Sequence, residues 1–506
     1  MGKTKEHPNQ DEHEPRVKRD IKKKRKHHSA TCVKYKKHEA SFSDLPENVK
    51  YKIFQYFSMR RRVQVEVVCR DWYDIIQTTF KGVSEIHIPT TIADHTRMSA
   101  VADMHVCGFL KKYGQYLRKI EFDIPSATYG HHIFHCMSKR CPDIQELHLS
   151  SDIEGKAYGE VLRIYTLYAE DLIKNLQSFQ LTHTIGNFAI PTQSLRALIR
   201  LLKNVHTFKL DMPVFPEDVT VLFPQSPSLK RFGISMLQNK VDRHRRVCLP
   251  VRYVHKFFHF LVDFKDNLES IEVNLCYDNS LNEIYMHDML GQLAVKNPNL
   301  RKLTLSLRTA DMDPEQIWFG HHALKKLGDF TKLEELSLVA TYLPCDFHKF
   351  LSPTITSLAL TAIQNINHAL VIDIIKALPN LRQFHLSYGQ WDLNVEHIRA
   401  PTIIEVMKIN PVLKELEFSP CEGLEIMEIM RFLKDKVHNI LSRSYNLIMV
   451  APKQIRMKFM NFGEDFRADL GEDIKKFIGC SSMFTECQDD NLTLIVNREC
   501  SECRAA

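Results

Sequence analysis

Most of the chain follows one recurring pattern: an apolar residue, two variable positions, a second apolar residue, one polar position and a third apolar residue. Twelve copies are recognisable; their first residues lie 22 to 39 residues apart, with a mean interval of 30. The copies begin at Val83, Leu117, Ile144, Leu176, Val205, Leu229, Leu268, Leu300, Leu333, Ile355, Leu381 and Leu413. Because the last three positions alternate apolar, polar, apolar, each copy predicts a half-buried strand. A self-similar period of this size is typical of a solenoid.

Amphipathic stretches between the copies predict helices, for example over residues 104–117, 284–297 and 369–378. One strand and one helix per repeat predict an irregular α/β solenoid, with a curved parallel sheet and the helices outside. The repeat period fades after Leu413. A helix at about 424–441 and strands near 447–450 and 492–496 are expected to form a closing cap.

A short all-helical module is predicted ahead of the repeats. Ser43 is expected to cap its first helix, which carries an apolar stripe that ends at Phe57. Arg60 to Arg62 interrupt the apolar pattern, and a second stripe follows from Val63 to Ile76. Some 35 residues cannot bury a core of their own, so the stripes need a partner surface on the following domain or on another protein.

The module resembles an F-box, whose pattern is Leu-Pro, an apolar helix and a Val-Cys-x-x-Trp element. The matching residues are Leu45, Pro46, Val49, Ile53, Phe54, Phe57, Val63, Val68, Cys69 and Trp72. The resemblance implies that these residues dock on the Skp-type adaptor of a cullin–RING ubiquitin ligase. Two features depart from it: Lys50 stands where an aliphatic residue is usual, and Arg60 to Arg62 replace a loop that is usually acidic or proline-bearing.

The repeats resemble leucine-rich repeats, and the order of F-box followed by leucine-rich repeats resembles the substrate receptors of SCF ubiquitin ligases. The boundaries expected on this basis are a basic tail over 1–40, an F-box over 41–80, a solenoid over 81–440 and a cap and tail over 441–506. The resemblance implies a chain that is not an enzyme. It would bind the adaptor, with cullin and RING subunits beyond it, and hold a protein substrate of unknown identity on the repeats.

The net charge of +7 lies entirely in residues 1–40, which hold 13 Lys and Arg against 6 Asp and Glu. Such dense like charge with little apolar content predicts a disordered arm. The run Lys22, Lys23, Lys24, Arg25 and Lys26 fits a nuclear-import signal or a phosphate contact, or simply a solvated arm. Nucleic-acid binding through this arm is the least favoured function, because the rest of the chain is neutral.

In a stacked solenoid, the polar position of each copy faces the concave side of the sheet. The substrate-binding candidates on this row are His148, Gln180, Lys209 and Glu272, joined by Arg243, Arg245 and Arg246 on an inserted loop. Arginines on such a loop suit an acidic or phosphorylated partner segment. The row contains no catalytic triad and no phosphate-cradling glycine loop, so neither catalysis nor a cofactor is expected.

Composition narrows the class further. With 44% apolar residues the chain is expected to fold, and no apolar run reaches the length of a membrane helix or signal peptide, so a soluble protein of the nucleus or cytoplasm is expected. The 13 cysteines are irregularly spaced, which favours free thiols. Pairs such as His131 and His135 supply too few ligands for zinc, so no metal site is expected.

The alternative to a substrate receptor is a nuclear repeat scaffold that binds partners without ubiquitin transfer, suggested by the basic arm and Arg60 to Arg62.

Overall fold

The structure is a computed structural model. It describes residues 42–88, 99–124, 127–151, 163, 166–168, 171–183, 192–211, 223–235, 251–264, 266, 268–277, 283–309, 321–339, 341–363, 365–388, 398, 400–410, 412–419, 446–451, 482–486 and 492–496. The chain divides into two compact units, Met1–Ile76 and Gln77–Ala506.

The first unit is helical where it is described. A short 3-10 turn, Phe42–Asp44, precedes α1 (Glu47–Gln55), α2 (Met59–Val65) and α3 (Arg70–Lys81), and α3 continues into the second unit. Helix α1 begins after Pro46, whose fixed φ suits the start of a helix. The prediction that Ser43 caps this helix is wrong, because Ser43 lies within the 3-10 turn.

The second unit holds one sheet of fifteen described strands, arranged in chain order apart from the last two. The strands are β1 (Glu85–Ile88), β2 (Lys119–Ile124), β3 (Glu146–Ser151), β4 (Ser178–His183), β5 (Thr207–Asp211), β6 (Arg231–Ser235), β7 (Ser270–Tyr277), β8 (Lys302–Thr309), β9 (Glu335–Val339), β10 (Ser357–Ile363), β11 (Gln383–Tyr388), β12 (Glu415–Ser419), β13 (Asn446–Ala451), β14 (Ser482–Glu486) and β15 (Leu492–Val496). The helices are α4 (Ser99–Tyr113), α5 (Ala127–Arg140), α6 (Thr192–Leu201), α7 (Val251–Phe264), α8 (Glu283–Lys296), α9 (His321–Leu324), α10 (His368–Ala377) and α11 (Ala400–Ile409).

The twelve repeat strands pair in parallel, each with its neighbour in sequence. Equivalent positions of the repeated pattern lie side by side, as in Leu303 beside Leu336 and Leu358 beside Phe384. Backbone hydrogen bonds also join the turns that precede the strands, for example from the N–H of Glu334 to the carbonyl of Arg301. The repeats therefore stack one copy per strand, with their backbone groups paired between neighbouring copies.

The apolar positions of the repeats and the apolar faces of the helices form one buried core. Phe179, Phe208 and Phe232 occupy the same position on β4, β5 and β6, and their rings stack at centroid distances of 6.3 and 6.1 Å. Burial of these rings supplies much of the stabilisation of this part of the solenoid, since each aromatic side chain removes a large apolar area from water.

Buried asparagines connect neighbouring repeats. Asn297, at the end of α8, accepts a hydrogen bond at 2.7 Å from the backbone N–H of Leu268 through its Oδ1 atom. Asn410, at the end of α11, donates to the carbonyls of Leu378 and Leu381. These residues end the helices and also satisfy polar backbone groups that the stacking removes from water.

The predicted fold class is confirmed: helices at the amino-terminal module precede a parallel sheet with helices between its strands. The predicted strands near 447–450 and 492–496 correspond to β13 and β15, and β14, which pairs antiparallel with β15, was not predicted. The predicted helix at 424–441 lies outside the described residues.

Candidate protein-binding surfaces

An aromatic cluster forms the centre of the helical module. Phe54 of α1 is 1% exposed, and its ring lies 5.6 Å from Phe42, 5.6 Å from Phe57 and 5.3 Å from Trp72, measured between ring centroids. The ring of Trp72 also meets Phe42 at 5.0 Å. Residues at helical spacing in α1 and α3 thus converge on one small core, which the 3-10 turn covers through Phe42.

Arg60 to Arg62 do not form the loop that the sequence suggests. They lie in α2, whose first turn is capped by the Ser58 hydroxyl accepting from the N–H of Arg61 at 3.3 Å. The guanidinium of Arg62 donates to the carbonyls of Gln55 and Phe57 at 2.7 and 3.0 Å. These carbonyls belong to the end of α1 and the turn after it, so Arg62 supplies donors where a helix leaves its acceptors unpaired.

The apolar residues that match the F-box pattern divide into two groups. Phe54 is buried inside the module, whereas Leu45, Ile53, Phe57 and Trp72 are partly buried. The exposed members of the pattern are Pro46, Val49, Val63, Val68 and Cys69. Tyr56, Val67 and Tyr73 add exposed side chains that the pattern did not include, and Val67 is 81% exposed. Lys50 stands where the F-box pattern usually has an aliphatic residue, and its side chain is buried, at 8% exposure.

On the sheet, the polar positions of the twelve copies lie in one continuous row. The row consists of His87, Glu121, His148, Gln180, Lys209, Gly233, Glu272, Thr304, Ser337, Ala359, His385 and Glu417. We call the sheet face that carries it the row face. The candidates His148, Gln180, Lys209 and Glu272 therefore lie on one face, across five neighbouring strands.

These candidates interact with one another and with their neighbours. Gln180 Nε2 donates to the Thr182 hydroxyl at 3.4 Å, and His148 Nε2 lies 3.0 Å from the same hydroxyl. Lys209 Nζ and Glu272 Oε1 form an ion pair at 2.9 Å. Burial lowers the pKa of His148, so this imidazole is held neutral at physiological pH.

Asp211 is a row-face residue that the pattern did not single out. Burial raises the pKa of its carboxyl group, although a hydrogen bond with Ser235 and the charge of Lys209 act in the opposite direction. Asp211 comes directly after the last residue of the repeated motif in its copy. A motif extended by one residue at its end would have included this position. The remaining candidates, Arg243, Arg245 and Arg246, and the run Lys22 to Lys26, lie outside the described residues.

The described part of the chain was also searched for metal ligands, reactive thiols and membrane-spanning helices. His131 Nε2 lies 2.8 Å from the Tyr168 hydroxyl, and no group of three or more His, Cys, Asp or Glu among the described residues is placed to hold a metal ion. The cysteines that the structure describes as free thiols are Cys69, Cys107, Cys136, Cys141 and Cys345. Burial raises the pKa of Cys141 to about 12, which keeps this thiol unreactive. None of the described helices is both long enough and apolar enough to cross a bilayer.

Comparison with known proteins identifies the helical module. A protein-family model described as F-box-like matches residues 42–80, so the chain carries an F-box-like domain. F-box domains in general bind Skp-type adaptors. The match ends at Phe80, and the assignment of the repeats as leucine-rich repeats stays a prediction. No curated protein matches the chain.

Proposed function

We propose that the protein is the substrate-recognition subunit of an SCF-type ubiquitin ligase. The module binds a Skp-type adaptor and, through it, cullin and RING subunits, while the row face of the solenoid binds a protein substrate. The observation that carries the proposal is a module of F-box-like sequence whose aromatic core is closed but whose Val63, Val67 and Val68 remain exposed. Exposed apolar side chains on a small folded module favour a protein partner.

The proposal assigns no catalytic residue and no cofactor to this chain. Its contribution to ubiquitin transfer is proximity, because a receptor that holds the substrate near the charged conjugating enzyme raises the effective concentration of the reacting groups. The basic run Lys22 to Lys26 supports nuclear import, with the cytoplasm as the alternative location. The nuclear-scaffold alternative was suggested by the basic arm and by an irregular loop at Arg60 to Arg62. The second observation no longer supports it, because these arginines belong to a helix.

The test uses exposed residues, because substitution of Trp72 or Phe54 would disrupt the module itself. The double variant V67E/V68E places two charges on the exposed apolar surface and leaves the aromatic core intact. We expect it to lose co-purification with the adaptor while the melting temperature of the full chain stays unchanged. The matched control is V295E, since Val295 is 80% exposed on α8, in the other unit.

Retention of the adaptor by V67E/V68E would reject the docking assignment. A second measurement addresses ubiquitin transfer: conjugates that accumulate on co-purified proteins after proteasome inhibition should appear with the wild-type chain and disappear with V67E/V68E. Adaptor binding without such conjugates would favour the scaffold that does not transfer ubiquitin.

A further inference from the structure

Four polar residues lie side by side on the row face, each two positions after the row residue of its strand. They are Asp211, Ser235, Asn274 and Ser306, on β5, β6, β7 and β8. We call them the polar ladder. Asn274 Nδ2 donates to Ser235 Oγ at 3.3 Å, and the Ser235 hydroxyl donates in turn to the Asp211 carboxylate. The donors of Asn274 and Ser235 are thus directed towards Asp211.

Two acceptors at the other end of the polar ladder are left without a partner. Asn274 Oδ1 and Ser306 Oγ are buried on neighbouring strands, and neither has a hydrogen-bond partner among the described residues. Ser306 is 2% exposed. Because an unpaired polar atom that is removed from water costs free energy, a group that donates to these oxygens would recover that cost on binding.

The carboxylate of the polar ladder also lacks a cation. Lys209 Nζ lies 2.9 and 3.0 Å from the two carboxylate oxygens of Glu272, and Asp211 forms no ion pair with any described residue. In the described strands, the carboxylates of the row and of the column that contains the polar ladder are Glu121, Glu272, Glu417, Asp123 and Asp211, against Lys209 as the one lysine or arginine. This part of the row face therefore favours a positively charged partner.

The free groups of the polar ladder fit an arginine side chain. They are a carboxylate, an amide oxygen and a hydroxyl, so the group that they match is a cation with several donors. They belong to different strands and are spread along the polar ladder. A guanidinium carries five N–H donors in a planar fork and reaches separated acceptors, whereas the three donors of an ammonium group radiate from one atom.

A groove of about 500 Å³ over β5 to β9 provides space for the chain on either side of that arginine. Lys209, Gly233 and Glu272 are among its lining residues, and each lies two positions before a residue of the polar ladder on the same strand. Two residues of a strand span about 7 Å, a distance that an extended arginine side chain covers. A segment in the groove can therefore place one arginine on the polar ladder.

We propose that the polar ladder is a specificity site on the row face and binds an arginine side chain of the protein substrate. The groove holds the segment that carries this arginine. This inference names the substrate chemistry of the receptor and in that respect rests on the proposed function.

The test uses the full chain and three labelled pools of degenerate peptides, which carry arginine, lysine or citrulline at one fixed position and no other lysine or arginine. Citrulline has the shape of arginine without its charge. We expect the arginine pool to bind at least about tenfold more tightly than the citrulline pool, because charge-assisted hydrogen bonds are lost, and more tightly than the lysine pool.

Two variants locate the preference in the polar ladder. D211N keeps the shape of the side chain and removes its charge, and it should abolish the preference for arginine over citrulline. S306A removes a hydroxyl that has no partner among the described residues, so it should weaken arginine binding without lowering the melting temperature. The control E146Q removes the same charge as D211N from an exposed position on β3, outside the polar ladder, and should keep the preference.

Equal binding of the arginine and citrulline pools would overturn the inference, as would wild-type binding by both D211N and S306A. A lysine pool that binds as well as the arginine pool would overturn the assignment to arginine. Equal losses in E146Q and D211N would overturn the assignment to the polar ladder. Adaptor capture is measured on the same preparations. A chain that captures the adaptor but shows no arginine preference contradicts this inference alone, whereas arginine binding without adaptor capture contradicts the proposed function alone.

Discussion

Lys209 and Glu272 form an ion pair at 2.9 Å although their strands, β5 and β7, are separated by β6. The residue between them in the register is Gly233, so no side chain stands in the way. A Cβ atom at position 233 would meet Lys209 Cγ at 3.2 Å and Glu272 Cβ at 3.6 Å. The missing side chain at position 233 thus allows Lys209 and Glu272 to meet across β6.

We expect Gly233→Leu to separate this ion pair and to lower the free energy of unfolding by about 1–3 kcal/mol, the usual cost of forcing a larger side chain into a packed site. Chemical denaturation of the full chain measures the change. Ala359→Leu is the matched control, because Ala359 occupies the same row on β10 between Ser337 and His385, and it should cost less. Equal losses in the two variants would show that the ion pair is unimportant.

The periodicity of the sequence predicts the whole row face, because strand residues alternate between two faces and each copy contributes one strand. It does not predict the pairing of charges within the row. Lys209 and Glu272 lie 63 positions apart, and their contact depends on the small residue of an intervening strand and on the rotamers of both side chains.

The F-box pattern likewise names residues without separating those that face inward from those that face a partner. Phe54 and Val68 both belong to it, yet Phe54 is buried and Val68 is 59% exposed. Three short helices expose more than one apolar stripe, and the way they cross decides which stripe is covered. That crossing depends on Phe42, which lies ahead of the pattern and contacts both Phe54 and Trp72.

Arg62 leads to a prediction about the stability of the module. Arg62→Ala removes two hydrogen bonds to the carbonyls of Gln55 and Phe57, and we expect it to destabilise the module by about 1–2 kcal/mol. Hydrogen–deuterium exchange of α1 should become faster. Arg62→Lys should restore little of the protection, because an ammonium group cannot span two carbonyls as the guanidinium fork does.

Arg61→Ala serves as the control for this experiment. Arg61 is exposed and one residue away, and its N–H, which the substitution retains, is the group that binds Ser58. Unchanged exchange in Arg62→Ala would contradict the assigned role of the guanidinium.

The buried hydrogen bond of Asn297 leads to a prediction about how strongly neighbouring repeats are held together. In Asn297→Ala, the backbone N–H of Leu268 stays buried and loses its acceptor, which should cost about 1–3 kcal/mol. Asn175→Ala is the comparison: Asn175 donates to the Pro142 carbonyl at 3.0 Å across neighbouring repeats, but it is exposed, and water can replace the bond. Thermal unfolding of both variants should give a clearly lower melting temperature for the first. A similar melting temperature for both variants would show that the hydrogen bond from Leu268 to Asn297 does not stabilise the stacking of the repeats.

Two histidines on the row face, His385 and His148, are expected to change the stability of the protein with pH in opposite directions. The hydrogen bond with Glu417, at 2.7 Å, raises the pKa of His385 despite its partial burial, and Glu415 adds to this effect. A raised pKa in the folded state stabilises the protein below the unfolded value of about 6.5, and this stabilisation is lost as pH rises through the folded value. We therefore expect His385→Gln to destabilise the protein by about 1 kcal/mol at pH 5.5 and by less at pH 8.5.

His148 provides the internal control, since burial lowers its pKa and the folded state holds it neutral. Protonation of the unfolded chain then costs stability as pH falls below about 6.5, and His148→Gln should remove this penalty. Denaturation of the two variants and the wild type between pH 5 and 9 separates the cases. Relative to the wild type, the His385 variant should do worst in acid and the His148 variant should gain there. The same pH dependence in both variants would mean that the ion pair with Glu417 does not govern the titration of His385.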